Sequence, residues 1–188
     1  MKKKDPVTLS DPKPVKKGSK TYENLLKAFA GESMARNKYT YFAKIAREQG
    51  LHHIAAIFEE TANHEAEHAK MIWKLLGEWS DTKENLKKAI EGENYEYTKM
   101  YPEFKKVAEE EGFKDAAKFF TEVAEVEEQH EKRFEKLLEE LEKNFFKRDV
   151  EVMWVCRNCG YVHIGKEAPK ECPNCRHPQS YFEVRCEY

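Results

Sequence analysis

Cysteine and proline are missing from most of this chain of 188 residues, and no part of it is strongly hydrophobic. All five cysteines lie between Cys156 and Cys186, which excludes a disulfide scaffold for the whole chain. Between Pro14 and Pro169 there is a single proline, Pro102, so long uninterrupted helices are allowed. The longest stretch without a charged residue has ten residues, whereas a membrane-spanning helix needs about 20 apolar ones.

An excess of charge of one sign is also missing. The chain has 33 Lys+Arg against 35 Asp+Glu, a formal net charge of −2. No large basic surface is therefore expected, and neither nucleic acid nor a membrane is an expected partner. Charged residues make up 36% of the chain and hydrophobic ones 40%, which favours helices with strongly solvated outer faces.

Residues 1–20 differ in composition from the rest of the chain. They have no apolar stretch of the kind found in secretory signals. Their Lys, Pro, Ser and Gly residues predict a flexible tail. We therefore expect a cytoplasmic protein, and in that compartment paired cysteines bind metals more often than they form disulfides.

Four segments between residues 21 and 144 show helical periodicity, separated by turn residues at Gly50, 77–81 and Gly112. In the second and fourth segments, apolar residues recur at alternating steps of four and three, which places them on one helix face. Each of these faces is interrupted by one Glu and one His, three residues apart. The first and third segments carry acids on their apolar stripes. The interrupting residues are Glu32, Glu65, His68, Glu93, Glu96, Glu127 and His130.

The two halves of the helical region are related in sequence. Sliding the chain by 62 positions places Glu65 on Glu127 and His68 on His130. Over residues 42–78 the same shift gives 16 identities in 37 positions. The region is therefore an internal duplication of a helical hairpin.

The duplication is out of register at one place. Tyr39 aligns with Tyr101 at an offset of 62, but Glu32 aligns with Glu93 at an offset of 61. One surplus residue within a helix can be absorbed by a π-bulge, and such bulges are frequent at functional sites. We predict a local π-turn or kink between Glu93 and Pro102.

The acids and histidines of the apolar stripes predict a metal site. Uncompensated carboxylates in a bundle core cost several kcal/mol each, so they need cations. A Glu from each of two helices with a Glu-x-x-His motif from the other two is the pattern of ferritin-like di-iron or di-manganese proteins. A single Glu-x-x-His is more often part of a solvated face, but two at matched positions favour a pair of metal ions. Carboxylate and imidazole ligands suit Fe, Mn or Zn.

Other polar residues near these positions each admit two interpretations. Glu96 is either an extra ligand or a support for a ligand. Tyr39 and Tyr101 follow Glu32 and Glu93 by about two turns, and are either core tyrosines or hydrogen-bond donors to ligating carboxylates. The remaining histidines fall off the stripes and are expected at the surface: His52, His53, His64, His163 and His177.

A second metal site is predicted near the C-terminus. Cys156-x-x-Cys159 and Cys172-x-x-Cys175 are two knuckles with the spacing of a tetrahedral four-thiolate site. The spacing does not distinguish an iron site from a structural zinc ribbon. Cys186 is left over and is interpreted as a free thiol.

In combination these motifs resemble those of the rubrerythrins, over about residues 20–188. The resemblance implies a mainly α fold, a ferritin-like four-helix bundle with a small C-terminal rubredoxin-like β/loop domain. We expect a tail at 1–20, the bundle at 21–148 and the rubredoxin-like domain at 149–188. The motifs are Ala30-Gly31-Glu32-Ser33, Glu65-x-x-His68, Gly92-Glu93-x-x-Glu96, Met100-Tyr101-Pro102, Glu127-x-x-His130 and the two Cys knuckles.

The resemblance also implies a function, the reduction of hydrogen peroxide to water by a non-haem di-iron peroxidase. Two Fe would be held by the bundle and one Fe by the four cysteines, with Zn in either if the protein is mis-metallated. Glu65 and Glu127 would bridge the metals, and Glu32 and Glu93 would be terminal ligands. Glu96 would be a real extra ligand, because the family is thought to move one iron between the equivalents of His68 and Glu96.

Electrons would reach the bundle one at a time through the Fe(Cys)4 centre, from a rubredoxin or an NAD(P)H-dependent reductase. The 16 residues from Glu127 to Lys143 span about 24 Å of helix, too far for fast transfer within one chain. We therefore expect a head-to-tail homodimer. A ferritin-like iron-oxidising or storage protein, and a helical binding module with a structural zinc ribbon, are the alternative functions.

Overall fold

The computed structural model describes residues 12–185, in two compact units that divide between Asp81 and Thr82. Residues 1–11 of the predicted tail and Cys186 lie outside the described residues. The predicted combination of long helices with a small strand domain is confirmed.

The first unit is an antiparallel pair of helices, α1 (Lys20–Glu48) and α2 (His52–Leu75), which we call hairpin 1. The Oγ of Ser19 caps α1 by accepting the backbone N–H of Tyr22 at 3.1 Å. The two helices pack closely because small residues lie between them. The buried alanines are Ala43, Ala46, Ala55, Ala62 and Ala69.

The described end of the predicted tail contacts α2. The N–H of Val15 donates to the carbonyl of Leu75 at 2.8 Å. A Cβ added at Gly77 would lie 3.2 Å from the Cβ of Pro14, and Gly77 has φ of 75°. Glycine is therefore suited to this position for both backbone angle and space.

The second unit begins with a helix that changes its hydrogen bonding along its length. Helix α3 (Thr82–Tyr95) continues into a π-helical stretch (Glu96–Met100), here the π segment, and then into α4 (Tyr101–Glu110). The predicted π-turn between Glu93 and Pro102 is confirmed. Helix α5 (Lys114–Lys143) packs against these three elements, and residues 82–143 together form hairpin 2.

The turns of the two hairpins have the same backbone conformation and the same hydrogen bond. Gly50 and Gly112 have φ of 76° and 83°, in the left-handed region that favours glycine. In hairpin 1 the next N–H, of Leu51, donates to Ala46, and in hairpin 2 the N–H of Phe113 donates to Ala108, both at 2.8 Å. The duplication inferred from sequence is thus repeated in the local structure.

A three-stranded antiparallel sheet follows α5. Its strands are β1 (Lys147–Cys156), β2 (Val162–Glu167) and β3 (Phe182–Val184), in the order β2-β1-β3. Strand β1 is central because it pairs with both others. The sheet domain has its own small core, made of Trp154, Cys156, Ala168, Cys172 and Phe182.

Arg148 connects this domain to the end of α5. Its Nη2 lies 2.6 Å from Oε2 of Glu140, and Nη1 donates to the carbonyls of Phe145 and Lys147. Its guanidinium carbon lies 5.3 Å from the ring centroid of Trp154, a cation–π contact. Arg148 is therefore a partly buried side chain that joins the end of α5 to the sheet domain.

Among the described residues, no helix combines the length and the apolar character needed to cross a membrane.

Candidate metal centres

Hairpin 1 brings Glu32, Glu65 and His68 together. The Nδ1 of His68 lies 2.8 Å from Oε2 of Glu65 and 3.7 Å from Oε2 of Glu32. One ligand atom from each of the three lies within 4.8 Å of the others. Glu65 and His68 meet because they are three residues apart on one face of α2, and Glu32 faces them from α1.

Hairpin 2 repeats this arrangement with Glu93, Glu127 and His130. The Nδ1 of His130 lies 2.6 Å from Oε2 of Glu127 and 3.8 Å from Oε2 of Glu93. These ligand atoms also lie within 4.8 Å of one another. Each hairpin therefore holds two carboxylates and one imidazole, in matched positions.

The electrostatics of the two sets differ. In hairpin 1 the pKa of Glu65 is lowered by hydrogen bonds with Glu32 and then with His68. The pKa of His68 is raised, first by its hydrogen bond with Glu65. In hairpin 2 the pKa of Glu93 is raised by burial and then by the negative charge of Glu127. In hairpin 2, burial and the neighbouring carboxylate therefore disfavour the charged form of Glu93, an effect that a bound cation would oppose.

Glu96 adds to this negative charge at the first residue of the π segment. Its pKa is raised by burial and then by the charge of Glu127. The pKa of the Tyr101 hydroxyl is raised by burial, then by the charges of Glu96 and Glu127. The surplus residue inferred from the sequence offset therefore lies in the π segment. This segment begins with Glu96, whose carboxylate is near Glu127 of hairpin 2.

Tyr39 and Tyr101 lie in matching aromatic clusters. Tyr39 stacks on Phe58 with ring centroids 6.2 Å apart, and Tyr101 stacks on Phe120 at 6.1 Å. A third ring, Phe42 in hairpin 1, meets Phe58 edge-on at 5.5 Å. Both tyrosines thus pack with aromatic rings one turn or more from the ligands, and their donation of hydrogen bonds to ligating carboxylates stays a prediction.

The four knuckle cysteines converge on one point. The Sγ atoms of Cys156 and Cys175 lie 3.6 Å apart, as do those of Cys159 and Cys172. This distance is far longer than a disulfide, in which the sulfurs are about 2.05 Å apart. Four thiolates at about 2.3 Å from a tetrahedral metal ion are about 3.8 Å from one another. The donor set therefore fits a four-thiolate metal ion.

The surroundings of the cysteines favour thiolate formation unequally. The pKa of Cys175 is lowered to about 5, first by a hydrogen bond from the backbone N–H of His177. The pKa of Cys172 is raised to about 11, first by burial. A cation at the centre of the site would compensate for the second effect, because it favours the charged form of every ligand.

His177, expected at the surface, is partly buried and makes contacts next to the cysteine site. Its ring packs edge-on against Tyr181 with centroids 4.3 Å apart, and its Nδ1 lies 3.2 Å from the carbonyl of Cys175. The position follows the fourth cysteine by two residues, a spacing that could have indicated contact with the site.

A polar network next to the ligands of hairpin 2 is not evident from sequence alone. Glu131 is 8% exposed and accepts a hydrogen bond from Nδ2 of Asn94 at 2.8 Å. The pKa of Tyr97 is raised, first by its hydrogen bond with Glu131. At the equivalent position the first copy has Ala69. This difference between the two copies is the sequence feature that could have drawn attention to Glu131.

Comparisons with known proteins agree with this geometry. The family model described as rubrerythrin matches residues 23–138, and that described as the rubredoxin-like domain of rubrerythrin matches residues 154–183. The mainly α, ferritin-like fold with a rubredoxin-like domain is thereby confirmed.

Several curated relatives match over most of their length. Rubrerythrin of Porphyromonas gingivalis is 49% identical, over 89% of this chain and 90% of its own. Rubrerythrin-1 of Clostridium acetobutylicum is 48% identical, over 91% and 97%. Rubrerythrin of Nitratidesulfovibrio vulgaris is 46% identical, over 89% and 95%. Paired Glu–Glu–His sets, a four-cysteine site and these matches together place the chain in the rubrerythrin family.

Proposed function

We propose that the chain is a non-haem di-iron peroxidase that reduces hydrogen peroxide to water with electrons delivered through an Fe(Cys)4 centre. The observation that carries the proposal is the presence, on one chain, of two matched Glu–Glu–His sets and four converging thiols. Imidazole and carboxylate suit several divalent metals, but a thiolate electron-transfer centre on the same chain favours iron in both places.

The six matched side chains have distinct roles in this proposal. Glu65 and Glu127 would bridge the two ions, and Glu32 and Glu93 would be terminal ligands. His68 and His130 would complete the two sets. Glu96 would be an additional ligand, an alternative to His68 on one of the ions. The acids provide the negative charge that two cations require, and they leave positions open for peroxide.

The reaction needs two electrons and two protons for each peroxide cleaved to two waters. Two ferrous ions supply these electrons when bound, one from each. The chain's own residues hold the pair in place, and the packed rings of Tyr39, Phe58, Tyr101 and Phe120 keep the neighbouring interior apolar. An apolar surrounding strengthens the electrostatic interactions of the site.

The long α5 separates the two centres of one chain. Glu127 and the end of α5 at Lys143 are about 24 Å apart along the helix. We propose a head-to-tail homodimer. In this dimer the rubredoxin-like domain of one chain lies close to the bundle of the other and transfers electrons to the site there. Its donor would be a rubredoxin or an NAD(P)H-dependent reductase. A four-thiolate site also favours a reducing compartment, the cytoplasm.

The visible spectrum of protein with measured metal content tests the electron-transfer part. We expect iron in the cysteine site, giving a red protein that dithionite bleaches and that Cys172→Ser makes colourless. A colourless protein with zinc at the four cysteines would instead favour a binding module with a zinc ribbon. Peroxide consumption with a reduced donor must also stop in Cys172→Ser, because electrons can no longer reach the bundle site and reduce it again.

A second measurement separates a peroxidase from an iron-oxidising or storage protein. The reduced protein is mixed with hydrogen peroxide or with excess ferrous iron and oxygen. We expect rapid oxidation by peroxide and no accumulation of ferric iron beyond the bound ions. Uptake of many ferric ions per chain would contradict the proposal.

A further inference from the structure

A cleft lies at the turn end of hairpin 2, between α4 and α5. Its volume is about 410 Å³, which is within the range of pockets that take small ligands. Lys105 and Glu109 line it from α4, and Lys114, Lys118 and Thr121 line it from α5. Three lysines and one glutamate give the cleft a charge of +2, whereas the whole chain has a formal net charge of −2.

This positive charge is balanced only in part by other side chains. Among the described residues, neither Lys105 nor Lys114 forms a salt bridge, and Glu109 forms none with any of the three lysines. Lys118 lies 3.6 Å from Glu122, but both of these side chains are largely exposed, and such pairs contribute little. The cleft therefore retains positive charge that an anion from solution would neutralise.

Lys105 and Lys118 replace alanines of the other copy of the duplication. The offset of 62 places them on Ala43 and Ala56 of hairpin 1. Ala43 is only 1% exposed, and Lys105 at the equivalent position is itself partly buried. A partly buried ammonium loses part of its hydration, and an opposite charge nearby compensates for this loss. The second copy therefore has cations at positions where the first has methyl groups.

The equivalent place in hairpin 1 has an ion pair instead. Nη2 of Arg47 lies 2.6 Å from Oε1 of Glu59, so a cation of α1 is paired with an acid of α2. The offset of 62 places Glu109 and Thr121 at these two positions in hairpin 2. The hydroxyl of Thr121 donates to the carbonyl of Ala117 at 2.9 Å. Helix α5 thus offers an uncharged group where α2 offers a carboxylate.

We propose that this cleft binds a small multivalent anion of the phosphate class, held by the ammonium groups of Lys105, Lys114 and Lys118. Lysine is a common phosphate ligand, because its ammonium is a compact charge with three hydrogen-bond donors. Inorganic phosphates and the phosphate groups of a nucleotide share this chemistry. The cleft volume is sufficient for either of them.

The cleft is separate from the candidate metal ligands of the same hairpin. Lys114 lies 13 residues before Glu127, which is about 20 Å along α5. The inference therefore does not depend on the proposed di-iron site. A signal recorded close to Lys114 also distinguishes an anion in the cleft from one bound to metal ions.

Titration with pyrophosphate, followed by nuclear magnetic resonance, tests the proposal on isotope-labelled, iron-loaded protein. The backbone amide signals of Gly112 and Lys114 report on the cleft. We expect these signals to shift and to saturate as pyrophosphate is added. The apparent affinity should fall about tenfold or more in Lys105→Gln and in Lys118→Gln, because each substitution removes one charged donor.

Two further variants make the test specific to the cleft. Thr121→Glu introduces the acid that hairpin 1 has at this place, so it should weaken pyrophosphate binding at least as much as the loss of a lysine. Lys106→Gln is the matched control, because Lys106 neighbours Lys105 in sequence but pairs with Glu110 at 3.8 Å. This control should bind pyrophosphate as the wild type does.

Titrations with ADP and adenosine identify the source of the phosphate group. Adenosine should leave both amide signals unchanged. Tighter binding of ADP than of pyrophosphate would assign the anion to a nucleotide, and equal or weaker binding would assign it to free phosphates. Shifts that do not saturate, a response to adenosine, or equal affinity in Lys105→Gln and Lys106→Gln would overturn the inference. None of these results would bear on the di-iron proposal.

Discussion

Glu131 is buried next to His130, a candidate metal ligand, although alanine occupies the equivalent place in hairpin 1. Its carboxylate accepts from Asn94, which precedes the π segment, and bonds with Tyr97 within it. A buried carboxylate is stable only with such partners. We interpret this network as the support that holds the π segment, and with it Glu96, against α5.

Removal of this carboxylate should therefore cost stability. Glu131→Ala leaves the amide of Asn94 and the hydroxyl of Tyr97 without their acceptor, a loss of about 1–3 kcal/mol. Chemical denaturation of the metal-free protein measures it, with the exposed Glu135→Ala on the same helix as control. An equal effect of both substitutions would contradict the interpretation that Glu131 supports the π segment.

Glu96 gives the metal-free protein a characteristic pH dependence. Its pKa in the folded chain lies above the ordinary value of 4.5, because of burial and the charge of Glu127. A group with a raised folded pKa stabilises below its ordinary pKa, and this contribution is lost as the pH rises through the folded pKa. Metal-free protein should therefore lose stability from Glu96 as the pH rises above 4.5.

The neutral variant Glu96→Gln should remove this part of the pH dependence. Relative to wild type, we expect it to gain stability at pH 7 and to gain little at pH 4.5, by thermal denaturation without metal. Glu91→Gln, an exposed position on α3, serves as the control and should show no such difference. A gain at both pH values alike would contradict the assignment.

At the scale of elements, the duplication explains why the candidate ligands and the π segment could be predicted from the sequence. The positions of the candidate ligands follow from apolar periodicity, because a Glu or His within an apolar stripe lies on the same helix face as that stripe. The π segment follows from one surplus residue between Glu93 and Tyr101. The contacts of Glu131 and Arg148 could not be predicted in this way, since no repeat or motif spacing connects the residues that they join.

Arg148 is one of the residues that join α5 to the sheet domain. This side chain and its partner Glu140 are only 19% and 20% exposed. Arg148→Ala leaves the carboxylate partly buried without its partner and removes the contact with Trp154, so we expect a loss of about 1–3 kcal/mol. The exposed pair of Lys143 and Glu139, at the same end of α5, is the control, and Lys143→Ala should have no measurable effect.

Denaturation of the iron-loaded protein measures this loss. If Arg148 fixes the orientation of the sheet domain, Arg148→Ala should also slow the transfer of electrons from the cysteine site to the bundle, while metal content is unchanged. Unchanged stability and transfer would show that other contacts hold the join.

At the scale of the whole molecule, the family and both donor sets could be predicted from the motifs. Motif spacing identifies which side chains meet within a hairpin, but it carries no information on how one hairpin packs against another.

The central claim is that the paired Glu–Glu–His sets reduce peroxide, and a single turnover tests it most directly. Fully reduced, iron-loaded protein is mixed without oxygen with a slight excess of hydrogen peroxide, and the remaining peroxide is measured. We predict consumption of one peroxide per pair of bundle irons within the first turnover by wild type and by the exposed control Glu125→Ala. Glu127→Ala should lose at least tenfold in rate. Equal peroxide consumption by Glu127→Ala and wild type would contradict the account.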